Sequence, residues 1–290
     1  MHTHHLHKFL LLLWVSLLAS SFVVSEYVLP YASPIVATWL RFFITSLCLL
    51  PIVGIRSGFK IGRMQLLQYG TISLFLVLFF VGLFESLKTT TAQRTAVIYT
   101  VLPLLCVLLS YLLLKVVPKA MQLLGFLLGV CGAIWTLLAA NNKMVNLTEW
   151  FEGDTLFLLS CFSLAVHVVL TKKWASDQPA LLSSFFILSL GCVLLLPFLF
   201  LSNSPQDITK GSELFWFSIM YLTLFTTLGT FFLQQYLLKS LSPNAFIAAT
   251  YLVPVLVILF EGDSKASVFM ACTPAFLLTG LALYLIARDA

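Results

Sequence analysis

Apolar residues run along this chain in long blocks, each closed by a short polar or turn-forming stretch. A helix of about 20 mostly apolar residues crosses roughly 30 Å of hydrocarbon, and a block of that length reads as a membrane span. Ten such blocks occur, approximately Phe9 to Leu29, Ile35 to Ile55, Leu67 to Leu87, Thr91 to Leu114, Ala120 to Ala139, Thr155 to Trp174, Leu181 to Leu201, Leu214 to Leu238, Pro243 to Phe260 and Val268 to Ala287. Connections are short, and neither the gap Asn203 to Glu213 nor the longer one at 140–154 leaves room for a soluble domain. Lipid offers no hydrogen-bond partner to backbone amides, so each block must satisfy its own as a helix. The expected fold is an all-α membrane protein with ten transmembrane helices.

Composition agrees. Of 290 residues, 60% are hydrophobic and 9% charged, with a mean hydropathy of +1.04, which excludes an ordinary water-facing surface. The first block, Lys8 followed by FLLLLWVSLLASS, has the layout of a cleavable signal peptide. Its apolar character continues through Phe22, Val23 and Val24 to full bilayer length, so it reads as a retained helix. With both termini inside, the cytoplasmic side holds ten basic residues: Lys8, Arg56, Lys60, Arg63, Lys115, Lys119, Lys172, Lys173, Lys239 and Arg288. The outer side holds five, Lys88, Arg94, Lys143, Lys210 and Lys265. This bias predicts cytoplasmic termini and explains the net charge of +5 as a topology signal, with no nucleic-acid partner implied.

The blocks also repeat. RFFITSL at 41 to 47, in the second span, returns as SFFILSL at 184 to 190 in the seventh, with five of seven residues identical. FVV at 22 to 24 returns as HVV at 167 to 169; at an offset of 151, Leu87-Lys88 matches Leu238-Lys239, Pro103 matches Pro254 and Gly129 matches Gly280. Five spans thus echo five, predicting repeats over 1–145 and 146–290. An odd-numbered unit must insert upside down the second time, and inverted repeats of this kind are an architecture of secondary transporters that bind substrate near the midplane.

The ordered features resemble the EamA family of the drug/metabolite transporter superfamily. They are Trp14, Ser33-Pro34 leading to Arg41-Phe42, Pro103, Gly125 and Gly129, and Gly153-Asp154 opening the second half. The likeness covers almost the whole chain. It departs at Val15, where members often have glycine, and at Lys115, where they often have glutamate. The resemblance implies a carrier of small polar or amphipathic metabolites, commonly amino acids or related compounds and often exported.

Candidate cargo-binding residues follow from the polar positions within the spans. Pro103 and Pro254 interrupt corresponding helices, which points to a transporter site, because proline removes an amide donor and frees carbonyls toward a cavity. Helical spacing sets Thr95, Tyr99, Cys106 and Ser110 beside Pro103, and aligns Asn244, Tyr251 and Glu261 in the ninth span. The sixth span carries Ser160, Ser163, His167 and Thr171; the eighth carries Thr223, Thr227, Thr230 and Gln234. These stripes either line one wet cavity or bond back to their own helical turns. The third span is apolar where the eighth is threonine-rich, so a cavity between them would suit an amphipathic solute.

Charges within spans are costly in lipid and require a reason. Arg41, roughly 12 Å below the outer end of its helix at 1.5 Å per residue, reads either as an anchor for a carboxylate or phosphate or as a clamp on carbonyls. His167 is a proton acceptor or a packing residue. Glu85 and Arg94 are expected to pair across the turn from the third span to the fourth as a gate, and Glu261 is the carboxylate for a proton or cation role. Trp14 stacks on a flat cargo or packs on other rings.

The six cysteines have no paired spacing, so no disulfide is expected. The frayed histidines 2, 4, 5 and 7 make a poor metal cage, and neither metal nor cofactor is expected. Asn146-Leu147-Thr148 is a glycosylation sequon. The leading function is a secondary carrier, with protons as the candidate coupling ion, in a bacterial inner membrane; its partners are a small-molecule substrate and the bilayer, with a homodimer left open as the assembly. The alternatives are an exchanger of nucleotide-linked metabolites, such as a nucleotide sugar or S-adenosylmethionine, and, remotely, a membrane enzyme using His167. No P-loop, HExxH or nucleophile elbow supports the last.

Overall fold

The structure, a computed structural model, describes residues 2–56, 61–139, 150–176, 178–201, 212–237, 243–261 and 273–288. In order these form α1 (His2–Val28), α2 (Pro34–Arg56), α3 (Arg63–Ser86), α4 (Ala92–Tyr99), α5 (Leu102–Leu114), α6 (Ala120–Ala139), α7 (Glu152–Ala175) and α8 (Ala180–Leu201). There follow α9 (Glu213–Thr223), a π-helical segment (Leu224–Gly229), α10 (Thr230–Leu237), α11 (Pro243–Ala248), a 3₁₀ segment (Ala249–Leu252), α12 (Val253–Phe260) and α13 (Thr273–Arg288). The described residues contain no strand. The Asn146 sequon, Asp263 and the start of the tenth predicted span lie outside them, as does the side chain of Asn244.

Among the described residues seven stretches are long and apolar enough to cross a membrane: Phe9–Val28, Pro34–Ile55, Arg63–Ser86, Ala92–Leu114, Glu152–Ala175, Ala180–Phe200 and Glu213–Gln234. The fifth, ninth and tenth predicted spans are shorter apolar helices, Ala120–Thr136, Phe246–Phe260 and Thr273–Ala282. Large apolar side chains face outward along the bundle, Phe200 at 78% and Phe217 at 75% exposure among them, a surface that only lipid tolerates at this extent.

Helices pack by exposing backbone to one another. α3 lies against α7 and α8, α2 against α8, α5 against α7, and α6 against α13; α1 lies against α9, α10 and α12, and α2 against α9. A Cβ on Gly82 of α3 would collide with Ser160 Oγ of α7, and one on Gly129 of α6 would sit 2.5 Å from the Tyr251 ring. Lipid tails are as apolar as leucine, so association in a bilayer relies on such small-residue contacts. At the centre, Phe22 of α1 meets Tyr99 edge-on at 5.3 Å and Phe157 at 6.1 Å, while Phe79 of α3 lies 6.3 Å from Phe157.

Two spans break and one bulges. The fourth divides at Thr100 and Val101, whose amides reach three residues back to Val97 and Ile98 carbonyls at 3.0 Å. The ninth divides at the 3₁₀ segment. Pro103 and Pro254 each stand at the second position of the helix that restarts, where a missing N–H costs nothing to that helix but cannot continue the preceding one. The eighth span widens into the π segment, a feature the residue pattern did not predict. α5 ends at Lys115 in a left-handed conformation, φ 58°, which closes the helix through its N–H to the Ser110 and Tyr111 carbonyls.

Candidate functional site

α2 begins on Pro34, whose fixed φ suits the first helical position, and its register turns Arg41 inward, leaving the residue 3% exposed. There Nε donates to Thr227 Oγ1 at 2.5 Å and Nη2 donates to Thr226 Oγ1 at 2.9 Å and, more weakly, to the Thr226 carbonyl at 3.5 Å. In an ordinary α-helix neighbouring side chains diverge by about 100°. The π segment widens the turn, and both threonines reach one guanidinium. Each hydroxyl passes its own hydrogen to the Leu222 carbonyl, at 2.8 and 2.9 Å, so both present lone pairs to the cation.

The guanidinium also lies over Phe80 of α3, 4.4 Å from the ring centroid. Phe42, the next residue, presses on Gly191 of α8, where a Cβ would come within 2.7 Å of its ring. Nη1 is buried and has no partner, and no carboxylate pairs with Arg41 among the described residues.

The carboxylates are committed elsewhere. Asp154, fully buried in the first turn of α7, accepts from Arg94 Nε at 3.2 and 3.1 Å and from Arg94 Nη2, from Thr90 Oγ1 at 2.6 Å, and from its own N-terminal Phe151 amide at 3.2 Å. Arg94, 5% exposed, lies 4.7 Å from the Phe151 ring centroid. A Cβ on Gly153 would be 2.5 Å from the Ser86 carbonyl, so this glycine lets α7 start against the end of α3. Glu26 of α1 accepts from the Ala92 amide at 2.5 Å, and Glu261, at the end of α12, accepts from Gln93. Three acids from three helices therefore meet the first turn of α4, where the helix dipole and free amides favour negative charge.

The expected Glu85–Arg94 pair does not form. Glu85 pairs with Lys88 at 2.8 Å, one turn on and half-exposed, while Arg94 turns inward to Asp154, 60 residues away. Short sequence distance suggested the wrong partner, because Arg94 follows the first turn of α4 into the bundle.

Other candidates separate. Thr227 joins Arg41. His167 Nδ1 meets the Ile72 carbonyl at 3.0 Å; a carbonyl can only accept, so Nδ1 carries the proton and ties α7 to α3. Trp14 packs on Phe246 at 4.1 Å with its indole N–H unpartnered, and Tyr251 lies against Phe126 with its hydroxyl unpartnered. Tyr99 sits in the central ring cluster, between Phe22 and Phe79.

Ser160, Ser163, Thr171, Thr223 and Thr230 bond back to their own helices, at 2.7 to 3.2 Å. Sequence reasoning missed Thr226, Phe80, Glu26 and Gln93. Only Thr226 left a trace, as the residue that turns Thr227 into a TT pair.

Comparison with known proteins agrees with this picture. A model described as the EamA-like transporter family matches residues 7–138 and again 151–262. The uncharacterized transporters YetK and YyaM of Bacillus subtilis (strain 168) are 25% identical over 253 residues (86% of this chain, 76% of that protein) and 22% identical over 287 residues (96% and 93%). An uncharacterized transporter of Archaeoglobus fulgidus is 23% identical over 260 residues, covering 89% and 87% of the two chains. One crystal structure superposes with a TM-score of 0.68 at 19% identity, over 98% of this chain and 97% of that one, a likeness of fold. The apolar spans make the protein integral to the membrane and multi-pass, and the doubled match over both halves shows that the chain belongs to the EamA-like transporter family.

Proposed function

We propose that the protein is a secondary transporter of small polar or amphipathic metabolites, amino acids or related compounds, which it exports by alternating access between two five-helix repeats, 1–145 and 146–290, inserted in opposite senses. The observation that carries this reading is the pattern of helix contacts. Exchanging each span for the one five places on turns the contact of the third and sixth spans, α3 with α7, into that of the eighth and first, α9 and α10 with α1. The same exchange turns α5 with α7 into α12 with α1, and α3 with α8 into α9 with α2. It returns α2 with α8 and α6 with α13 to themselves. Ten spans related in this way, with restarted helices at Pro103 and Pro254, match the arrangement in which cargo is held at mid-depth between halves that rock.

The basic residues favour both termini in the cytoplasm of a bacterial inner membrane. Protons are the coupling ion in this reading, with Glu261 and His167 as the titratable groups on α12's end and α7. Trp14 has Phe246 on its ring, which weakens the nucleotide-stacking alternative.

Counterflow in proteoliposomes tests it. Labelled amino acids should exchange against unlabelled ones, and labelled nucleotides should not; the absence of any amino-acid exchange would end the reading. Single thiols placed at Lys115 and Lys173 in a cysteine-free background should react from the same side of the membrane, and reaction from opposite sides would remove the inversion.

A further inference from the structure

A buried arginine normally brings its own carboxylate. Taking an isolated cation out of water costs several kcal/mol or more even after relaxation, and one-sided burial is destabilising for that reason. Arg41 has neutral partners only: two hydroxyls, one carbonyl at the limit of bonding, and a phenylalanine face. These supply lone pairs and no charge.

Guanidinium geometry shows where the missing charge belongs. Nε and Nη2 form the side-on edge of the fork, and Thr227 and Thr226 hold that edge. Nη1 heads the end-on edge, which is the other place where a carboxylate binds through two parallel N–H bonds. It is the atom left without a partner. The threonines fix the plane of the guanidinium because their own hydrogens are spent on Leu222, so the group is held in one orientation with Nη1 buried and unpartnered.

We infer that the Nη1 edge of Arg41 is the carboxylate-binding point of the transported solute, with Thr226 and Thr227 as positioning residues. The inference rests on the transporter reading and narrows its substrate class to monoanionic carboxylates. One guanidinium neutralises one carboxylate. A phosphate monoester, at roughly −1.5 to −2 near pH 7, would exceed the single positive charge of Arg41.

The test compares an acid with its neutral isostere on the full-length protein in nanodiscs. Phenylacetate should raise the melting temperature of the wild type and phenylacetamide should not; inorganic phosphate should act at least tenfold more weakly than phenylacetate. Arg41→Gln should abolish the response while keeping the size-exclusion profile and helicity of the wild type. Arg41→Lys should weaken it at least tenfold, because an ammonium cannot hold both threonines and the acid in one plane.

The paired change Thr226→Val with Thr227→Val should weaken phenylacetate binding about as much as Arg41→Lys while sparing the discrimination against the amide. Equal shifts from acid and amide, a response that survives Arg41→Gln, or no response to phenylacetate would each overturn the inference. Counterflow of labelled L-phenylalanine separates the two readings. Acid binding without flux keeps the anion site and removes the carrier, whereas flux indifferent to Arg41→Gln keeps the carrier and removes the anion site.

Discussion

Among the described residues two arginines are buried in this bundle, and they are supported in opposite ways. Arg94 meets Asp154, whose remaining lone pairs are filled by Thr90 and the Phe151 amide, so charge and hydrogen bonds are both balanced within the protein. Arg41 has its geometry fixed but its charge left open, since Thr226 and Thr227 orient it without neutralising it. A closed pair holds helices together, and here it joins α4 to α7. An oriented, unbalanced cation stores an electrostatic deficit that a mobile anion can fill.

The sharpest way to break this contrast is to turn each arginine into methionine. Arg94→Met strands a buried carboxylate and should cost about 3–5 kcal/mol, whereas Arg41→Met removes an uncompensated cation and should stay within about 1 kcal/mol of the wild type or stabilise it. Reversible unfolding in mixed micelles measures both, and equal losses would erase the distinction. Replacing the closed pair as a unit, Arg94→Met with Asp154→Leu, should recover most of the single-mutant loss, since removing both charges leaves neither stranded.

Next in size, Gly153→Ala drives a Cβ toward the Ser86 carbonyl, which is backbone and cannot swing aside, and should cost about 1–3 kcal/mol by the same assay. Thr226→Val with Thr227→Val should cost about 1–2 kcal/mol, the scale of two polar contacts inside a membrane protein. At the small end, Lys88→Ala removes an exposed pair and should change stability by about 0.5 kcal/mol or less. A larger effect would mean that Glu85 has a role in the bundle after all.

The sequence revealed elements whose cause is local. Hydrophobic blocks marked the seven membrane-length stretches and the shorter apolar helices, Pro103 and Pro254 marked the two restarted helices, and Arg41 stood out because a fixed charge within an apolar run is rare. Partners that depend on tertiary packing were hidden. Arg94 lies near Glu85 along the chain, yet the turn after α3 sends Lys88 to Glu85 and leaves Arg94 facing α7. The threonine stripe of the eighth span was read at helical spacing, which joins Thr223, Thr227 and Thr230. Thr226, three residues after Thr223 and four before Thr230, shares that face as well, and in the π turn it joins Thr227 at Arg41. No residue in LFTTLG announces such a widening, because one inserted position changes no composition.

The unbalanced Arg41 has an electrical consequence. Arg94 and Asp154 travel as a neutral unit, so displacement of that pair across the bilayer is silent to the transmembrane voltage. Arg41 is not silent: each elementary charge moved through a 100 mV field exchanges about 2.3 kcal/mol with it. Rearrangement of the empty protein that shifts α2 along the bilayer normal therefore generates a capacitive current, and an anion seated on Arg41 extinguishes that current.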